Sequence, residues 1–179
     1  MQDKDKITGR SALTKLTITA VFLALTIVLC SFSIPVPGGH LYLCDVAICT
    51  AALLLDPFLA FVVGGVGAFL GDLIFYPLPM FVSLVTHGLE AVLISLFAHY
   101  LFKKKPKIGS AFGLFLGALV VVVGYSLGRR FVYNVEGGWA VVWLKLPYEI
   151  LQALVGAVVG YLLYWKTPIK KIYLRMIQN

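Results

Sequence analysis

Six polar or ionisable residues that could do chemistry interrupt the apolar stretches of this 179-residue chain. They are Asp45, Asp72, His87, Glu90, Glu149 and Gln152. A charged side chain inside a membrane span costs at least roughly 2.5–3.5 kcal/mol, so each one predicts a partner or a function. Most of them fall toward the same ends of their apolar segments, which predicts a polar cavity open to one side of a membrane.

His87 and Glu90 form an HxxE pair, and this spacing places both side chains on one face of a helix. Two ligands are too few for a zinc site and no other His or Cys is spaced to complete one, so no metal is expected. A hydrogen-bonded pair, or a pair that donates to a polar ligand, is favoured. The sequence has no GxSxG, HExxH or P-loop motif, so neither an enzyme nor a cofactor is predicted and ATP hydrolysis would require other subunits.

Aromatic residues gather near one predicted membrane boundary, namely Tyr76, Tyr133, Trp139, Trp143 and Tyr148. They fit either an interfacial belt or a stacking surface for a flat heteroaromatic ligand. The predicted substrate-binding set combines aromatic and hydrogen-bonding residues: Asp72, His87, Arg129, Tyr133, Asn134, Trp143, Tyr148, Glu149 and Gln152. The turn at residues 35–40 could cover this pocket as a lid. Alternatively, Glu149 pairs with Arg129 or Lys145 and only ties two helices together.

The composition indicates an integral membrane protein. Hydrophobic residues make up 60% of the chain and charged residues 13%, with a mean hydropathy of +0.94. Soluble domains carry roughly 25% charged residues, and a soluble protein of this size could not hide so much apolar surface. Cys30, Cys44 and Cys49 lie in apolar stretches and are expected to be buried.

Turn residues divide the apolar sequence into six predicted transmembrane helices, at residues 14–34, 41–55, 58–76, 80–102, 108–132 and 143–165. The expected fold class is an all-α integral membrane protein in which residues 1–179 form one compact domain. The second helix is short for a span, so it could be tilted, bent or buried by its neighbours.

The basic residues give an independent check on this count. Twelve of the fifteen lie in three clusters: Lys4, Lys6, Arg10 and Lys15; residues 103–105 with Lys107; and Lys166, Lys170, Lys171 and Arg175. Four predicted spans separate the first two clusters and two separate the last two. All three clusters can therefore face the cytoplasm, and both termini are predicted to be cytoplasmic.

Small residues recur every four positions on several helices, including Ala20 and Ala24 on the first. Such stripes let helix backbones approach closely, and packing within the molecule is the favoured interpretation for most of them.

The order of several motifs resembles the substrate-binding S components of energy-coupling factor (ECF) vitamin transporters. They are Ala20-x-x-x-Ala24, Asp45, GGVGAFLGD at residues 64–72, HGLE at residues 87–90, Gly124-Tyr125, LPYEILQ at residues 146–152 and VGAVVG at residues 155–160. They look most like the hydroxymethylpyrimidine/pyridoxine-type branch, close to the riboflavin-type one. That branch often has Lys at the position of His87 and Asn at that of Glu149, so riboflavin or another vitamin such as pantothenate stays open.

The resemblance implies a binding subunit in the cell membrane that captures a water-soluble vitamin from outside. It would work with a transmembrane coupling protein, contacted through Ala20 and Ala24, and with two cytoplasmic ATPases. It would then topple in the membrane to release its cargo. An ion-coupled secondary carrier that uses Asp72 or Glu90 remains the alternative class, and a membrane enzyme or assembly protein a third.

Overall fold

The computed structural model describes residues 2–132 and 136–178 and is helical apart from one hairpin. Its elements in chain order are α1 (Gln2–Ser31), β1 (Ser33–Val36), β2 (Gly39–Tyr42), α2 (Cys44–Leu54), α3 (Pro57–Phe75), α4 (Met80–Leu101), α5 (Pro106–Phe131), α6 (Trp139–Lys166) and α7 (Ile169–Gln178). Tyr133 and Asn134, both predicted to bind substrate, lie outside the described residues. The fold is that of a helical multi-pass membrane protein.

Five described helices are long and apolar enough to cross a membrane: residues Gly9–Ser31 of α1, and α3 to α6. Helix α2 has only 11 residues. At 1.5 Å per residue it is about 16 Å long, against a hydrocarbon core of about 30 Å. Ten of its residues are buried, so its neighbours rather than lipid surround it. Its shortness was predicted, and its position explains why such a helix is tolerated.

Two glycines of α6 let α2 lie against that helix. A Cβ atom on Gly156 would stand 2.4 Å from the Cβ of Asp45, and one on Gly160 would stand 2.7 Å from the Cβ of Cys49. Real Cβ atoms do not approach so closely, so any larger residue would push the helices apart. This part of the small-residue pattern is therefore confirmed as packing within the molecule.

A two-stranded antiparallel hairpin replaces two predicted helix ends. Strand β1 pairs with β2 in the register Ser33 to Tyr42 and Val36 to Gly39. The prediction of helix through residues 32–34 and 41–43 was wrong, because Pro35 has no N–H for a helical hydrogen bond and Gly38 turns the chain with a φ of +81°. The predicted turn at residues 35–40 lies within this hairpin.

The bundle has two distinct ends. At the hairpin end, α1 finishes, α2 begins and α3 finishes at Phe75. At the basic end, α4 finishes at Leu101, α5 begins at Pro106 and α6 finishes at Lys166. Helix α7, which was not predicted, follows there and places Tyr173 against the core.

Candidate ligand-binding site

A cavity of about 130 Å³ lies at the hairpin end of the bundle and is called the site cavity below. The hairpin covers it with Gly38, Gly39, His40 and Tyr42, and helices α3 to α6 supply or adjoin the rest of its wall. Its other lining residues are Tyr76, Leu78, Pro79, Val121, Tyr125, Arg129, Lys145, Glu149 and Gln152. The predicted residues Arg129, Glu149 and Gln152 thus meet in one cavity.

Arg129 and Glu149 form a buried ion pair across the site cavity wall. The Arg129 Nη1 atom donates to the Glu149 Oε1 atom at 2.5 Å, and the Ser126 hydroxyl lies 3.4 Å from Glu149 Oε2. A buried pair needs such geometry, because each charge left alone would lose its solvation without compensation. The alternative prediction, that Glu149 pairs with Arg129 and ties two helices together, is therefore met. Because the pair also stands in the cavity wall, the Glu149 carboxylate could both join the helices and bind a ligand.

Gln152 connects the hairpin to a deeper polar group. Its Oε1 atom accepts a hydrogen bond from the backbone N–H of Tyr42 at 2.9 Å, and its Nε2 atom donates to Asp45 Oδ2 at 3.1 Å. Each end of this amide retains capacity for one more bond, so Gln152 can hold the hairpin and still face a ligand.

Lys145 lines the site cavity, although it was not among the predicted substrate-binding residues. Its ammonium group donates a hydrogen bond to the carbonyl oxygen of His40, and its side chain is only 3% exposed. Lys145 stands four residues before Glu149 and seven before Gln152, so all three lie on one face of α6. That periodicity is the signal that could have identified it.

The aromatic wall of the cavity differs from the predicted one. His40 and Tyr76 meet edge to face with ring centroids 5.4 Å apart, and Tyr42 and Tyr125 complete the wall. Burial raises the pKa of Tyr42 well above its ordinary value, so its hydroxyl stays protonated and able to donate. Trp143 and Tyr148 do not line this cavity, and Trp143 is 67% exposed, as an interfacial belt would require.

Beneath the site cavity lies a second polar layer that includes the predicted Asp72 and His87. The Ser83 hydroxyl donates to the Asp72 carboxylate and lies 2.6 Å from the Tyr125 hydroxyl. The Tyr125 ring meets the His87 ring edge to face at 5.4 Å. Asp72 and His87 therefore stand behind Tyr125 rather than in the cavity wall.

His87 sits within a buried carboxylate cluster. Its Nδ1 atom lies 2.8 Å from Glu90 Oε2 and 3.6 Å from Asp45 Oδ1, so the predicted hydrogen-bonded HxxE pair is confirmed. The thiol of Cys49 contacts Glu90 at 3.5 Å. Ligand atoms of Cys44, Asp45 and His87 also lie within 4.8 Å of one another, which is close enough to hold a cation. The hydrogen bonds already present account for His87 and Glu90.

Ala20 and Ala24 lie on the outer surface of α1, where both are exposed. The opposite face of the helix packs inward through Thr19, Thr26 and Cys30. The alanine stripe therefore lies on the surface of the described bundle.

Comparison with known proteins places this helical membrane protein in a family. A model described as "ECF-type riboflavin transporter, S component" matches residues 10–170. The chain therefore belongs to the S-component family of ECF-type transporters, which confirms the predicted resemblance and function class. This is a family of transporter subunits, not of enzymes.

Two relatives extend over most of the chain. The "Thiamine precursor transporter HmpT" of Lactococcus lactis subsp. cremoris (strain MG1363) is 33% identical over 163 residues, which cover 88% of this chain and 90% of that protein. An "Uncharacterized protein in gap 3'region" of Pyrococcus woesei is 30% identical over 143 residues, covering 78% of this chain and 94% of that protein.

Proposed function

We propose that this S component captures a monocyclic vitamin precursor of the hydroxymethylpyrimidine type. The size of the site cavity, about 130 Å³, carries the proposal. An apolar cavity of about 150 Å³ accommodates one benzene ring, so the site cavity is close to the size of a single six-membered ring. A fused three-ring ligand such as riboflavin would require the hairpin to move away.

The polar groups of the cavity suit an aminopyrimidine. Such a ring offers amine hydrogens as donors and ring nitrogens as acceptors. The Glu149 carboxylate can accept from the amine, while the Lys145 ammonium and the Tyr42 hydroxyl can donate to ring nitrogens or to a hydroxymethyl oxygen. The name of the Lactococcus relative, a thiamine precursor transporter, supports the same ligand class.

The experiment is a calorimetric titration of the purified protein with hydroxymethylpyrimidine, pyridoxine and riboflavin in turn. Hydroxymethylpyrimidine should bind most tightly and riboflavin at least about a hundredfold more weakly, equivalent to about 2.8 kcal/mol. Riboflavin binding as tight as that of the pyrimidine would overturn the proposal. If pyridoxine binds most tightly, the ligand is still monocyclic but is not of the hydroxymethylpyrimidine type.

The proposed topology has six passes with both termini in the cytoplasm, formed by residues 1–179 as one domain in the cell membrane. Its support is that α2, although short, runs between the two ends of the bundle. Asp45 at its start is hydrogen-bonded to Gln152 of the site cavity wall, and Leu54 at its end lines a cavity among the lysines of the basic end. Because the basic end favours the cytoplasm, the site cavity faces outward.

The proposed partners are a transmembrane coupling protein and two cytoplasmic ATPases, with the coupling protein docked on Ala20 and Ala24. The exposure of both alanines on α1 supports this contact. Proteoliposomes that hold the purified S component alone should bind the vitamin without accumulating it. Accumulation driven by a proton or sodium gradient would overturn the coupled mechanism in favour of a secondary carrier.

A further inference from the structure

The basic end of the bundle contains two adjoining cavities that are separate from the site cavity. The first, of about 300 Å³, is called the basic cavity and lies between the end of α4, the start of α5, the end of α6 and helix α7. Its lining includes His99, Lys103, Tyr164, Lys170 and Tyr173. The second, of about 330 Å³, shares His99, Lys103 and Tyr173 and adds Lys15 of α1.

No carboxylate among the described residues lines the basic cavity to balance its positive charge. Among the described residues that line it none is acidic, and neither Lys103 nor Lys170 forms an ion pair with any described residue. Asp56 borders the adjoining cavity, where its side chain accepts the backbone N–H of Leu59 at 3.2 Å and caps α3. The cavities therefore carry a net positive charge that suits an anion.

Aromatic rings fix Lys170 in place. Its Nζ atom lies 4.1 Å from the ring centre of Trp165 and 4.7 Å from that of Tyr164. These rings hold the ammonium group at the cavity wall, and no carboxylate in the described part of the chain pairs with it. Burial lowers the pKa of Lys170, which is the effect of desolvation without a compensating anion.

One ring nitrogen at the cavity wall also lacks a partner among the described residues. His99 borders both cavities, and its Nε2 atom is buried without a hydrogen-bond partner among the described residues. Buried polar atoms are normally paired, so an unpaired ring nitrogen beside two lysines indicates a missing polar ligand. Phosphate oxygens accept several hydrogen bonds and could meet both ammonium groups together.

The depth of the cavity identifies the source of the phosphate. It lies where α4 and α6 end and α5 begins, which is the level of lipid head groups. Helix α7 borders it with Lys170, Tyr173 and Leu174 and carries Lys171 and Arg175 on its exposed surface. A basic amphipathic helix of this kind lies in the membrane interface, and basic pockets between spans bind anionic head groups.

We propose that the basic cavity binds the phosphate group of an anionic phospholipid, held by Lys103 and Lys170, with His99 in the cavity wall. The bound lipid would fix α7 against the ends of the spanning helices. The basic cavity is separate from the site cavity, which lies at the opposite end of the bundle.

The test compares lipid retention by native mass spectrometry after the purified full-length protein is delipidated and incubated with phosphatidylglycerol or phosphatidylcholine. The wild type should retain phosphatidylglycerol. The double variant Lys103→Gln/Lys170→Gln should bind it roughly thirtyfold more weakly, which corresponds to about 1 kcal/mol per lysine. The charge-preserving variant Lys103→Arg/Lys170→Arg should retain most of the affinity.

The matched control is Lys104→Gln/Lys171→Gln, which removes the same charge from exposed positions outside both cavities. It should bind the lipid nearly as the wild type does. Equal losses in the two glutamine double variants would overturn the proposal in favour of diffuse surface attraction. Inorganic phosphate that raises the melting temperature as much as the lipid does would also overturn it, by assigning the cavity to a free anion.

Discussion

The ammonium group of Lys145 donates a hydrogen bond to the backbone carbonyl of His40 and so fastens the β1–β2 hairpin to α6. Two turns further along the same face, Gln152 accepts the backbone N–H of Tyr42. The hairpin is thus held at both ends of β2 by side chains of one helix. Gly38 and Gly39 line the site cavity, so we expect these two bonds to govern how readily the hairpin moves away from it.

Replacement of Lys145 by Met should loosen the hairpin and speed the release of a bound vitamin. The variant roughly keeps the length of the side chain and removes the donor to His40, together with the donor that Lys145 is proposed to offer the vitamin. A hydrogen bond from a charged group contributes about 1.5–3 kcal/mol, so the dissociation rate should rise by about tenfold or more. Stopped-flow measurement of ligand release would show the change.

Lys166→Met provides the matched control for this prediction. Lys166 ends the same helix at the basic end, where it is exposed and far from the hairpin. Its substitution should leave the dissociation rate unchanged. A dissociation rate in Lys145→Met equal to that of the wild type would mean that the hairpin does not govern the opening of the site cavity.

The Arg129–Glu149 pair permits a test that separates binding from stability. Glu149→Leu leaves the buried Arg129 charge alone, which typically costs about 3–5 kcal/mol, so the melting temperature should fall. The double variant Arg129→Met/Glu149→Leu removes both charges and should recover most of that loss. If the carboxylate also receives the vitamin, the double variant should melt normally and still bind at least about tenfold more weakly.

Calorimetric titration and a melting curve on the same three proteins give both quantities. Full recovery of the dissociation constant in the double variant would contradict the binding role. The pair would then serve only to join α5 to α6.

The sequence sufficed where contacts are local to one helix. The spacing of His87 and Glu90 predicted their hydrogen bond, and that of Glu149 and Gln152 predicted a shared face that proves to line the cavity. The sequence did not predict that His87 lies in the layer beneath the site cavity rather than in its wall. That depth depends on α2, which packs against Gly156 and Gly160 of α6 and so brings Asp45 beneath the cavity.

The hairpin and α7 escaped prediction for different physical reasons. Residues 32–34 and 41–43 are apolar enough to extend the neighbouring helices, and their strand conformation becomes evident only from the pairing of Ser33 with Tyr42 across the glycine turn. Helix α7 is short and basic, so a search for long apolar segments passes over it. Its apolar residues nevertheless recur at helical spacing, with Ile169, Tyr173 and Ile177 packed against the core.

The proposed topology predicts which cysteine labels react from outside intact cells. Ser33→Cys and Glu136→Cys stand at exposed positions of the hairpin end and should react with a membrane-impermeant maleimide. Lys104→Cys should react only after permeabilisation. Gly38 is unsuitable as a label site, because its positive φ strains any larger residue and Lys145 lies against it.

The chain's own cysteines give a low background for this experiment. Cys30, Cys44 and Cys49 are free and buried, so the wild type should label weakly. Labelling of Lys104→Cys in intact cells would contradict a cytoplasmic basic end and, with it, the six-pass arrangement.

The exposed alanines of α1 should serve assembly rather than vitamin binding. Ala20→Trp and Ala24→Trp place bulk outside the bundle, so the dissociation constant and the melting temperature of the isolated subunit should stay close to those of the wild type. Vitamin uptake by cells that carry the whole transporter should be lost, because the coupling protein can no longer approach the helix closely. Radiolabelled uptake and copurification of the coupling protein would measure this loss.

Leu25→Trp is the control that distinguishes a specific contact from general damage to α1. Leu25 is also exposed, yet it follows Ala24 by one residue and therefore points about 100° around the helix. Its substitution should leave uptake largely intact. If Leu25→Trp abolishes uptake as fully as the alanine variants do, then the stripe is not a defined docking surface. If the alanine variants lose vitamin binding in parallel with uptake, they act through the fold of the subunit instead.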